Sequence, residues 1–281
     1  MTPWLTFFLV ALSFFGLTMW SVAVGTSRRE SASAPSEGRA WRRLLLPPLV
    51  GAPFLAFMAG WVAQESNPSD ELVPRALAIP AGLVGLVVMR AGLRATRSAL
   101  RKSSDLPIAT VGLLRPRVVV SEEFRAAANP SVLSAALAHE EAHRRARDPL
   151  RIWGARFVTD LQWPLSGARA RLERWHLGLE LRRDDEAIRA GASPTALAEG
   201  LLIAAELIRS ESLGGAAAAM TGDGGGLALR VRRLLSNEAG ARDGGREGTW
   251  WGSWAVILGA FALLGAAYGD AFLLLLPGAS R

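Results

Sequence analysis

Residues 129–147 read NPSVLSAALAHEEAHRRAR. Asn129 suits a helix cap, and Pro130 suits the first turn, where its missing N–H would have no partner anyway. The spacing predicts one helix from here to about Arg147. Inside it lies His139-Glu140-Glu141-Ala142-His143. Residues four apart stand one turn above each other on a helix face, so both imidazoles can reach one cation. Glu140 follows the first of them and can reach a water on that cation as general base. The chain has three histidines in all, His139, His143 and His176, so this spacing does not come from abundance.

A catalytic zinc takes three protein ligands and keeps one position open. Cysteine is absent and His176 is the only imidazole to spare, so the third ligand is expected to be a carboxylate. A helix from Pro164 or Ser166 to about Ala190, stopped by Gly191, offers one. Glu180 shares a face with His176 and with Asp184, each four residues away. Asp184 can accept the far N–H of a ligating histidine and fix its tautomer. The competing reading pairs Glu180, Asp184 and Asp185 with Arg182, Arg183 and Arg189 as a solvated charge face. Asp185 and Glu186 are expected to be solvated. His176 is read as structural, or else as a donor to the transition state.

The rest of the polar middle fits around these two helices. Leu106 to Val111 and Arg117 to Ser121 read as strands, with Gly112 and Pro116 marking the turn. Asp148-Pro149 opens a helix to about Gln162, and Ser193-Pro194 another to about Ser210. Leu213 to Gly226 reads as a flexible loop, Leu227 to Leu235 as a short helix, and Asn237 to Gly248 as a mobile linker.

On either side lie long apolar runs. The chain has 281 residues, is 50% hydrophobic and 20% charged, and has a mean hydropathy of +0.22. These values exclude a disordered chain and fit an ordinary soluble enzyme poorly. Trp4 to Gly25, Leu44 to Ala63, about 72–93 and Trp250 to Leu276 are each near the roughly 20 apolar residues that a spanning helix needs. Pro47, Pro48 and Pro53 imply kinks in the second run, or a start near Pro47. Met1-Thr2-Pro3 gives no basic leader, so the first run is read as a retained anchor. Between the first two runs, Arg28, Arg29, Arg39, Arg42 and Arg43 outweigh Glu30 and Glu37. Between the second and third, Glu65, Asp70 and Glu71 stand without a base from Gln64 to Pro74. After the third come Arg90, Arg94, Arg97, Arg101 and Lys102. Positive loops stay inside, so both termini are expected outside and the middle domain in the cytoplasm. The layout is a three-span membrane region at 1–102, a soluble domain at 103–248, and a fourth span with a short tail at 249–281. The net charge of +7 sits largely beside the apolar runs. No nucleic-acid recognition module accompanies it, so the bilayer is the expected partner rather than nucleic acid.

Three segments together resemble the BlaR/MecR antibiotic-sensor family of integral-membrane zinc metallopeptidases, which are gluzincins. They are VGLLRPRVVVS (Val111 to Ser121), LAHEEAHRRARDPLR (Leu137 to Arg151) and LELRRDDEAIRAG (Leu179 to Gly191). The resemblance implies a mainly α membrane protein with four transmembrane helices. It also implies a cytoplasmic α+β HExxH peptidase domain with a small edge sheet, in a cytoplasmic membrane of bacterial type. One Zn2+ would be held by His139, His143 and Glu180, with Glu140 as general base and Asp184 behind the ligands. Asp148 matches an Asp after the metal helix, where capping a helix is an equal alternative. The RVVVS strand would hold substrate backbone by β-augmentation. The implied activity is regulated endopeptidase cleavage of a cytoplasmic protein, either a transcriptional repressor or the chain itself, with the Asn237–Gly248 linker as a candidate for self-cleavage. Two features depart from the family. The sensors carry a penicillin-binding domain after the last span, where this sequence has only a few residues. The only lysine is Lys102 and position 99 is alanine, so a Ser-x-x-Lys acylation motif is excluded and β-lactam sensing is not expected. The alternatives are a quality-control peptidase similar to the HtpX type, and a non-catalytic membrane scaffold or signal transducer.

Overall fold

The computed structural model describes residues 3–27, 36–64, 78–100, 106–165, 167–212, 224–236 and 258–268. It is mainly helical with one small sheet. Three long helices come first: α1 (Pro3–Ser27), α2 (Glu37–Gln64) and α3 (Ala78–Leu100). Strands β1 (Ile108–Val111) and β2 (Arg117–Val120) follow, then α4 (Glu122–Ala127), α5 (Pro130–Arg145), α6 (Asp148–Leu161), α7 (Gly167–Arg189), α8 (Pro194–Ser212) and α9 (Gly224–Leu235). A last helix, α10, spans Leu258–Tyr268.

Local chemistry sets most of these boundaries. Asn129 Oδ1 accepts from the N–H groups of Ser131 and Val132, both at 3.0 Å, and starts α5. Gly191, at φ 100°, ends α7 in a Schellman turn. There the Gly191 N–H bonds the Ile188 carbonyl and the Ala192 N–H bonds that of Ala187. The antiparallel pair has Thr110 opposite Val118, and Gly112, also at φ 100°, turns the chain between the strands.

Several boundaries differ from the sequence reading. The short α4, capped by the Ser121 side chain, lies where no element was expected. Helix α9 begins at Gly224, inside the expected loop, whose residues 213–223 lie outside the described residues, as does the linker 237–248. Helix α2 starts at Glu37, not near Pro47, and runs through Pro47, Pro48 and Pro53. Pro48 has no N–H for the Leu44 carbonyl. The buried Gln162 side chain supplies a donor instead, with Nε2 3.4 Å from Leu44 O. Packing also favours the longer helix. Ala40 and Leu44 are buried against Ala155 of α6 and against Trp175 and Leu179 of α7.

Among the described residues one helix, α2, is long and apolar enough to cross a membrane, with a mean hydropathy of 1.7 in its best window. Val10–Gly25 within α1 and Leu258–Tyr268 are shorter apolar helices. The first is part of the expected first span. Residues 72–77 and most of 249–281 lie outside the described residues, so the expected third and fourth spans are seen only in part.

Glycine brings these helices close together. A Cβ on Gly60 of α2 would stand 1.8 Å from the Ala262 carbonyl oxygen of α10, and one on Gly265 would stand 1.8 Å from that of Phe57. Backbone lies on backbone at this crossing, as at small-residue contacts between helices in lipid. Replacing Gly60 by valine should therefore destabilise the purified protein by about 1–3 kcal/mol or more. Gly154, with nothing within 4 Å of a new Cβ, should by contrast gain about 0.5–1 kcal/mol as alanine. Thermal midpoints of the two variants check this; equal midpoints would remove the close crossing.

Candidate metal centre

Three helices meet at His139 and His143. Helix α5 presents the two rings with centroids 4.7 Å apart and their Nε2 atoms 3.0 Å apart. Helix α7 brings Glu180, whose Oε2 lies 3.4 Å from His139 Nε2 and 3.7 Å from His143 Nε2. The ligand atoms of the three residues all lie within 4.8 Å of one another. Four-coordinate zinc with bonds of about 2.0–2.2 Å places its ligand atoms roughly 3.3–3.6 Å apart. The three distances bracket that range, so the donor set fits a small divalent cation of the zinc type. The expected trio is together, and Glu180 does not belong to a solvated charge face.

The far side of each imidazole meets a buried carboxylate. His143 Nδ1 lies 2.8 Å from Asp148 Oδ2 in a hydrogen bond. His139 Nδ1 lies 3.0 Å from Asp184 Oδ1, close but not aligned as a hydrogen bond. Both carboxylates favour a proton on Nδ1, which leaves both Nε2 lone pairs facing Glu180. Asp148 reaches its place because Arg147 adopts a left-handed backbone (φ 53°, ψ 42°) between α5 and α6. A bulky residue there is strained. That turn sends residue 148 back beneath residue 143. Asp148 is the first residue of α6, and the preceding Arg147 gives no side-chain cap, so the capping alternative is replaced by the contact with the imidazole.

Arginines hold these acids in turn. Arg183 donates to both oxygens of Asp148, and Arg151 donates to Oδ1 at 3.0 Å. Arg230 of α9 donates to both oxygens of Asp184, at 2.9 and 2.7 Å, and its Nη1 lies 2.9 Å from Glu180 Oε2. Glu37 in the first turn of α2, almost wholly buried, receives Arg151 and Arg182. None of these partners was assigned from sequence, because each stands among charges that read as solvent-facing. Arg230 had one signal, its place four residues before Leu234 on the amphipathic α9. Asp185, expected to be solvated, is buried under Arg233 at 2.7 Å. Glu186 is half-buried and bonds Arg182 and Arg183. His176 is half exposed, with Nε2 3.7 Å from Glu180 Oε1. It stands beside the ligand carboxylate but outside the trio. Glu140 lies next to the trio, and its carboxylate accepts from Thr110 of β1. The side chain that touches it thus comes from β1.

The electrostatics follow from these contacts. Burial disfavours the charged form of both imidazoles. It is outweighed at His143 by the charge of Glu180 and the bond to Asp148, which push this ring up to about 10. At His139 burial is outweighed by the adjacent Asp184 and Glu180 carboxylates, and its pKa is raised. Burial opposes ionisation of Glu180, but Arg230 and His143 hold it well below the usual carboxylate range. Asp184 and Asp148 are lowered too, against burial, chiefly by Arg230 and by His143 with Arg183.

Comparison of the chain with protein-family models, curated proteins and solved structures returns no match.

A cation can bind His143 only after the ring loses its proton. Because that ring holds its proton up to about pH 10 in the metal-free protein, zinc added at pH 8 should release about one or two protons per ion. Affinity should rise with pH through that range. The same sign applies to stability without metal. The contribution of His143 is full below 6.5 and is lost as pH rises through about 10. Dye-monitored proton release in weak buffer tests this; uptake without release would contradict the charge state described here.

Proposed function

We propose that the chain is a membrane zinc endopeptidase acting on a cytoplasmic protein. One observation carries this reading: two imidazole nitrogens and a carboxylate oxygen converge at zinc-ligand spacing, with Glu140 beside them. Zinc, when bound, would lower the pKa of a water and polarise a scissile carbonyl. Glu140 then takes a proton at its carboxylate and delivers it to the leaving amine nitrogen. Asp184 and Asp148 face the Nδ1 atoms of His139 and His143, so a proton kept there would leave Nε2 of each ring free for the ion. The Arg230 guanidinium, at the edge of the trio, is better placed than the half-exposed His176 to hold a carbonyl oxygen in a dry site.

The four-span arrangement belongs to the same proposal. Large apolar side chains stand exposed on α1 (Leu17, Val24), α3 (Ile79, Leu83, Leu86) and α10 (Leu263, Tyr268). Such surface is costly in water and costs nothing in lipid. The glycine crossing of α2 with α10 suits a bundle held by close packing. The soluble helices attach at the start of α2 through Glu37, and near the end of α3 through Arg94–Asp160 and Thr96–Trp153. These are the ends with basic flanks, which supports a metal site on the cytoplasmic face. The resemblance to BlaR/MecR peptidases suggests a repressor, or the chain itself, as substrate.

One contact favours a second reading, a scaffold with a structural or vacant site. Arg230 Nη1 already offers a positive partner to Glu180 Oε2. Two measurements separate the readings: bound metal in the purified full chain, and cleavage of fluorescein-labelled β-casein in detergent. The peptidase reading expects about one zinc per chain and a loss of about 10²–10⁴-fold in rate for Glu140→Gln, which keeps the metal. Zinc without any Glu140-dependent cleavage favours the scaffold. Comparative proteomics of cells making the wild type or Glu140→Gln would then name the natural substrate.

A further inference from the structure

We propose that Thr110 is the positioning residue for Glu140, so that β1 rather than the metal helix sets where the general base points. This rests on the peptidase reading of the site. The Thr110 hydroxyl lies 2.8 Å from Glu140 Oε2 and 2.8 Å from the Glu140 backbone carbonyl oxygen. Both acceptors belong to one residue, and the single hydroxyl proton is shared between its side chain and its main chain. Among the described residues, this is the one hydrogen bond that reaches the Glu140 carboxylate. The other carboxylates around the metal site are gripped by arginine: Asp148 by Arg183, and Asp184 and Glu180 by Arg230. Glu140 is held by a neutral hydroxyl instead, which leaves its second oxygen for the reaction.

The arm that carries the hydroxyl is stiff. Threonine is branched at Cβ and has few side-chain conformers on a strand. Thr110 stands opposite Val118 in the ladder, and the Ser121 N–H bonds the Pro107 carbonyl at 2.8 Å beyond its end. Glutamate, by contrast, has three side-chain torsions and loses considerable freedom when fixed. A base must lie within about 2.6–3.2 Å of the proton it takes, and a displacement of about 1 Å can cost about 10²-fold in rate. A strand hydroxyl that removes this freedom before substrate arrives acts on turnover rather than on metal or substrate binding.

The test uses the zinc-loaded full chain in detergent, with two probes. The first is labelled β-casein. Thr110→Val should lower kcat by about 10- to 100-fold with KM and zinc content unchanged, and Thr110→Ser, which keeps the hydroxyl, should restore most of the rate. The second probe is acetohydroxamate, whose hydroxyl donates to the general base when the ligand sits on the metal; this arm needs no turnover. Its affinity should weaken in Glu140→Gln, weaken in Thr110→Val and recover in Thr110→Ser. Valine as active and as tight as wild type overturns the proposal, and so does serine failing as badly as valine, which would mark a packing role. If casein is cleaved by neither wild type nor Glu140→Gln, the peptidase reading falls while the hydroxamate arm still decides the role of Thr110. A chain that takes up no zinc removes both.

Discussion

Buried charge is the constraint from which this architecture follows. Removing an ion from water costs several kcal/mol unless partners surround it. Here Asp148, Asp184, Asp185 and Arg183 are all buried, beside two imidazoles of the same depth. Each acid therefore has an arginine from another element: Asp148 has Arg183 of α7, and Asp184 and Asp185 have Arg230 and Arg233 of α9. The helices cannot separate without stranding a charge. The apolar cluster of Val132, Ala135, Ala187, Leu197 and Leu234 ties α5, α7, α8 and α9 by burial. That force is non-directional. The ion pairs fix which turn of each helix faces which, and so bring Glu180 to His139.

The same network reaches the apolar helices. Glu37 is the hinge between the two halves. It lies in the first turn of α2, takes Arg182 two residues after the candidate ligand Glu180, and takes Arg151, which in turn holds Asp148 under His143. Three successive contacts thus connect α2 with a metal-facing imidazole. Trp41 packs tilted against Trp175, ring centroids 5.0 Å apart, one turn further along, and Leu44 is fully buried against the same helix. Whatever displaces the start of α2 must also displace the ligand helix.

How much of this could be read from sequence depends on the range of each interaction. The histidine pair was legible because a helix turns spacing into proximity, and the Asn129–Pro130 start fixed the helix. Glu180 and Asp184 were legible for the same reason, being four apart on an evident helix. Arg230, Glu37 and Thr110 were not, because each meets its partner across 30 to 145 residues. An arginine or glutamate beside apolar sequence has the same composition whether it faces water or a buried acid. Helix α4 was hidden by its six residues, too few to show a period. The prolines misled about α2 because a proline removes a donor only locally. A long-range amide, Gln162, was able to supply another.

Charge neutrality explains why a centre so crowded with acids can also carry arginine. Around the two imidazoles stand four carboxylates: Glu140, Glu180, Asp184 and Asp148. Two guanidinium groups stand close enough to pair with them, Arg183 and Arg230. Arg151 bridges Asp148 to Glu37, and Arg182 pairs with Glu37 and Glu186, so these two arginines offset those two outer acids. The inner group is then short of two positive charges. This excess of acid is why both rings are raised despite burial. A divalent cation supplies the same two charges at one point and leaves both rings neutral, as ligation requires. Were Arg230 absent, the deficit would be three and one divalent ion would not close it. The arginine that approaches Glu180 is in this sense complementary to a doubly charged ion, although it stands beside the oxygen that such an ion would use.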